Sequence, residues 1–169
     1  MTLPPPLILA LRLDEASFAY FNGLRQAHFP PALNYLDAHL TLFHHLPDIP
    51  AVTGLLRAVA GAQPPLPLEV TGLMKLGRGI AFRIKSEPLT GLQAYLRGQW
   101  REHLTPQDQQ GFRPHVTVQN KVDPAAANAL YEALSAGFQP FQATGTGLSL
   151  WEYHGGPWQK REDFEFVTA

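Results

Sequence analysis

His39-Leu40-Thr41-Leu42 and His115-Val116-Thr117-Val118 are two copies of one pattern, His-x-Thr-apolar, one in each half of a 169-residue chain. Each copy opens a stretch rich in aliphatic residues and reads as the start of a strand. Side chains alternate faces along a strand, so histidine and threonine at i and i+2 point one way while the aliphatic residues point into the core. Each copy therefore offers an imidazole and a hydroxyl together on a rigid element. The composition predicts roughly 0.2 chance occurrences of the pattern, so two copies in matching contexts carry information. A third His-x-Thr, His103-Leu104-Thr105, is followed by Pro106 at an expected helix end and lacks the strand context.

Outward from the motifs, the periodicity predicts a strand over residues 7–13 and a helix over 15–29, with Phe18, Phe21, Leu24 and Ala27 at helical spacing and Pro30-Pro31 as its stop. A strand over 39–46, a helix over 47–60 and two strands, 66–76 and 80–85, follow. The last two are separated by Gly77-Arg78-Gly79, a connection of hairpin type. The second half repeats the theme with a helix over 88–104, a polar loop to Gly111, a strand over 115–122, a helix from Asp123-Pro124 to Gly137, and strands over 147–153 and 162–167. This order predicts an α+β fold of two similar lobes, each with an antiparallel sheet and flanking helices, not a parallel doubly wound sheet. Gly145-Thr146-Gly147 reads as a strand irregularity.

A chain of this length with 45% apolar residues can build one compact domain with its own core, or two small lobes sharing one. A net charge of −1 provides no global basic field, so extended nucleic-acid binding by counterion release is not expected and any nucleotide contact is local. The absence of cysteine removes disulfides, thiolate nucleophiles and sulfur-built zinc sites, and is compatible with a reducing compartment. The apolar run 7–11 is short, lacks a basic segment before it and is ended by Arg12, Asp14 and Glu15, so it is neither a signal peptide nor a membrane span. The expectation is a soluble, cytoplasmic monomer with no membrane contact.

Displacement at phosphorus needs one group to take a proton from the attacking oxygen and another to protonate the leaving oxygen. Imidazole can do either near neutrality. Threonine hydroxyls can hold the charged non-bridging oxygens. Neither role needs a metal. A metal site built on Asp37, His39 and His115 is the rival; His39 and His45, six residues apart on a strand, lie roughly 20 Å apart and cannot share an ion. By alternation His44 belongs to the aliphatic face as a core or lobe-edge histidine. Gln119 and Lys121 share the face of His115 and Thr117, and Lys121 could supply charge to a phosphate. Phe43 shares the face of His39, where it could stack on a base or belong to the core. Arg113, Lys75, Arg78, Trp151 and Tyr153 are further candidates for the lining of a cleft.

The two motifs, Arg113-Pro114 ahead of the second histidine, and the closing Leu148-Ser149-Leu150-Trp151-Glu152-Tyr153 with a last strand ending near Phe166 together resemble the 2H phosphoesterase superfamily. Within it they resemble the 2'-5' RNA ligase-like and cyclic phosphodiesterase proteins. The resemblance covers nearly the whole chain. It implies one bilobal domain over residues 1–169 with both motifs facing a central cleft. It further implies catalysis by His39 and His115, phosphate binding by Thr41 and Thr117, and neither metal nor cofactor. The implied substrates carry 2',3'-cyclic phosphates or 2'-5' phosphodiester links, on RNA ends or small nucleotides. One departure is Asn120, followed by Lys121, where ligase-like members commonly carry arginine. A nucleotide- or RNA-end-binding protein of the same fold without turnover is the alternative.

Overall fold

Leu7 to Leu11 are almost completely buried on both faces of the first strand, and it is paired on both sides, which makes it a central strand rather than an edge. The computed structural model describes residues 4–168. In chain order the elements are β1 (Leu7–Leu13), α1 (Glu15–His28), β2 (Leu40–Leu46), α2 (Pro50–Ala60), β3 (Leu66–Lys75), β4 (Ile80–Lys85), α3 (Glu87–Gln99), β5 (His115–Gln119), α4 (Pro124–Ala136), β6 (Phe141–Tyr153) and β7 (Trp158–Glu165), with short 3-10 turns between some of them. Caps fix two of the helix starts. The Asp14 carboxylate accepts from the Ser17 N–H at 3.1 Å ahead of α1, and Ser86 Oγ accepts from the Leu89 N–H at 3.2 Å ahead of α3.

All the strands pair antiparallel in one seven-stranded sheet of order β2-β1-β6-β3-β4-β5, with β7 also on β6. The fold is α+β as the element order predicts, and its two halves share a strand. The first part of β6 pairs with β3, and the second part lies between β1 and β7. Two four-stranded antiparallel sets, β2-β1-β6-β7 and β6-β3-β4-β5, thus meet along β6. The passage between them is the expected irregularity: Gly147 pairs with Arg12 and Gly145 with Leu13, leaving Thr146 as an extra residue. A side chain at Gly147 would stand 2.6 Å from the Phe164 carbonyl oxygen, so only glycine lets β7 approach here.

One core cluster runs through both halves and includes Leu9, Phe21, Leu40, Leu56, Leu68, Phe82 and Leu148. Burying each such side chain is worth about 1.5–3 kcal/mol. No described helix is long and apolar enough to cross a membrane. β2 and β5 end the sheet order yet come together, with α1 packed against β5. The two motif strands are therefore brought face to face by curling of the sheet and not by pairing.

Candidate active site

His39 immediately precedes β2 and His115 opens β5. The Nδ1 of His39 is 2.8 Å from the carbonyl oxygen of Asp37, and the Nδ1 of His115 is 2.7 Å from that of Arg113. A carbonyl only accepts, so each Nδ1 carries the hydrogen, which leaves Nε2 as the nitrogen free to exchange protons with a substrate. The same i−2 contact in both copies orients both rings with the backbone alone. His39, Thr41, Arg113, His115 and Thr117 all line one cavity of about 710 Å³. Both threonines are half-buried.

The two rings differ in their surroundings. Trp158 of β7 packs on His39 with ring centroids 4.6 Å apart. Burial pushes the His39 pKa down to about 4. The Asp37 carbonyl opposes this, and the guanidinium of Arg25 together with the neighbouring His115 and His44 adds to it. At neutral pH His39 is a neutral imidazole with Nε2 as an acceptor.

Alternation fails just after each motif, and for the same reason. Thr41 pairs with Ala10 and Phe43 with Leu9, while Thr117 pairs with Ala81 and Gln119 with Ile80. Leu42 and Val118 are thus extra residues at two matching bulges, and the next side chain is turned to the other face. Phe43 is consequently fully buried, edge-on to Trp100 at 5.3 Å, and is a core residue with no surface for a base to stack on. Gln119 is turned into the core in the same way. The strand ends there, short of its expected length, and Lys121 sits exposed in the following turn with φ of 61°. It lies off the cavity wall, which removes the contact expected from alternation.

The bulge also moves His44. It lies on the cavity and not on the aliphatic face, with its Nδ1 3.0 Å from Asp108 Oδ1. The backbone N–H groups of His44 and His45 also donate to this carboxylate at 2.9 Å. Burial alone would raise the Asp108 pKa, but these hydrogen bonds outweigh it and hold it below the usual carboxylate range.

Among the other cleft candidates, Trp151 lines an adjoining cavity of about 660 Å³ that shares His39 and Trp158 with the first. Lys75 packs over Tyr131, and Arg78 donates to the Val122 carbonyl at 3.2 Å, both away from the cavities. Tyr153 is exposed and lines neither cavity. Arg25, Asp108 and Trp158 escape sequence reasoning. Only Arg25 carries a signal, because it continues the four-residue spacing of Ser17 and Phe21 on the buried face of α1.

A profile of the 2'-5' RNA ligase superfamily matches residues 13–157, and the chain belongs to that superfamily, within the 2H phosphoesterases. The fold is similar to the crystal structure of the TT0787 protein of Thermus thermophilus, with a TM-score of 0.68 and 19% identity over 95% of this chain and 97% of that one. It is also similar to E. coli LigT complexed with 3'-AMP, with a TM-score of 0.59 and 21% identity over 97% of this chain and 99% of that one. LigT complexed with NADP+ gives a TM-score of 0.59 and 19% identity over 96% and 98% of the respective chains. No curated protein matches in sequence. Superfamily membership supports phosphoesterase activity in general.

Proposed function

We propose that this protein is a metal-independent phosphodiesterase acting on 2',3'-cyclic phosphates or 2'-5' phosphodiester links of small nucleotides or RNA ends. The observation that carries this reading is the pair of motif histidines on one cavity, each with Nδ1 committed to a backbone carbonyl and Nε2 free. In the proposed reaction the neutral His39 takes a proton from water as its oxygen forms the new bond to phosphorus. His115 gives a proton to the ribose oxygen as the old bond breaks. Thr41 and Thr117 hold the non-bridging oxygens, with Arg113 supplying charge. A ribose hydroxyl in place of water runs the same chemistry toward ligation. That LigT has been crystallised with 3'-AMP and NADP+ supports a small nucleotide as ligand.

The test is turnover of a panel of 2',3'-cyclic nucleotides, 2'-5' dinucleotides and cyclic-phosphate RNA ends, with and without EDTA. Hydrolysis of at least one, unchanged by chelation, is the expected result. Affinity without turnover would make the chain a nucleotide-binding module, and loss on chelation with restoration by divalent ions would make it a metal-assisted hydrolase.

A further inference from the structure

Arg25 is 4% exposed, on the face of α1 that packs toward β5. Its Nε donates to Asn34 Oδ1 at 2.8 Å and to the Leu36 carbonyl at 2.9 Å, while Nη1 donates to the Thr117 carbonyl at 3.0 Å. The guanidinium also lies over the Phe29 ring at 4.1 Å. Leu36 adjoins Asp37, whose carbonyl orients His39, and Thr117 belongs to the second motif itself. β2 and β5 share no ladder, so through the sheet they are linked only by way of β1, β6, β3 and β4. Arg25 ties the two motif segments directly. Burying a guanidinium costs desolvation that an apolar side chain on Phe29 would not incur, and the planar fork is what reaches acceptors on both sides.

We propose that Arg25 is a positioning residue that sets the separation of the two histidine motifs, gripping the approach to His39 and the backbone of Thr117 with one guanidinium. The proposal deepens the two-histidine reading and rests on it for its kinetic consequences. The groups around the His39 ring are Arg25 from α1, His115 from β5, His44 from β2, the Asp37 carbonyl ahead of it and Trp158 from β7. Arg25 is the permanently charged member of that set, so it also favours the neutral ring.

The test compares Arg25→Lys, Arg25→Gln and Asn34→Ala in the full chain, by kinetics across pH and by NMR titration of the histidine rings. Lysine keeps the charge and loses the fork. It is expected to lower kcat by about 10–100-fold, as a small misplacement of reacting groups does, with KM within a few-fold and the acidic limb unmoved. Glutamine is expected to add an upward shift of the His39 titration by about one pH unit. Asn34→Ala removes one acceptor and keeps the charge, so a several-fold loss of kcat with unchanged titration serves if the glutamine variant does not fold. Wild-type kcat in a folded Arg25→Lys or Asn34→Ala, or an unmoved His39 titration in a folded Arg25→Gln, overturns the proposal. If the wild type turns over no substrate, the phosphodiesterase reading fails by itself. Arg25 is then judged by whether the His39 and His115 ring signals both move in Arg25→Lys; unmoved signals overturn its role.

Discussion

The two motif strands repeat each other closely up to the threonine and in the bulge that follows it, then diverge. Both histidines use the i−2 carbonyl, and both strands turn the residue four beyond the histidine into the core, Phe43 in one and Gln119 in the other. At the next position the first strand has His44, held against Asp108 on the cavity, and the second has Asn120. Trp158 also packs on the first histidine, and the charge of Arg25 acts on it. The repeat supplies two equivalent rings, and the unequal surroundings set them apart: only His39 is pushed by burial to a depressed pKa, which is the basis of its proposed role as base opposite His115 as acid.

The sharpest way to break this comparison is to delete each ring in turn. His39→Ala and His115→Ala are each expected to lower turnover by about 10²–10⁴-fold, and the double variant to cost far less than the product because both rings serve one displacement. The wild-type kcat/KM should be bell-shaped, with an acidic limb near pH 4 that follows the depressed His39. His39→Ala should abolish that limb in the residual activity and His115→Ala the other. Exchange of the two limbs would reverse the assignment of base and acid.

A smaller effect tests the symmetric part. Thr41→Val and Thr117→Val keep shape and each remove one motif's hydroxyl from the cavity lining. Each is expected to cost about 10–100-fold in kcat/KM, the worth of a hydrogen bond to a charged oxygen. An effect at one site alone would show that the phosphate is held from one side.

The smallest effect concerns stability. His39 has a folded pKa near 4 against an ordinary value of 6.5, so between those values the unfolded chain binds more protons than the native one. Its contribution is therefore intact above about pH 6.5 and is lost as pH falls toward 4. His39→Gln should flatten the urea midpoint across that window relative to wild type, whereas an unchanged slope would mean that the ring is not held neutral.

The sequence by itself determined the α+β class, the antiparallel order of strands and helices and the glycine irregularity in β6, because periodicity, prolines and glycines act locally. It also singled out the four motif residues that line one cavity, since a duplicated His-x-Thr needs no knowledge of the fold to be noticed. Strict alternation could not reveal the matching bulges at Leu42 and Val118, which depend on how β2 meets β1 and how β5 meets β4. For that reason Phe43, Gln119, Lys121 and His44 were each expected on the wrong face or wall. Nor could sequence bring Asp108, Arg25 and Trp158 to the motifs from a loop, a helix and the last strand. Only the curl of the sheet around β6 brings those distant segments together, and the burial and charge they impose on one of two identical rings exist only in the folded chain.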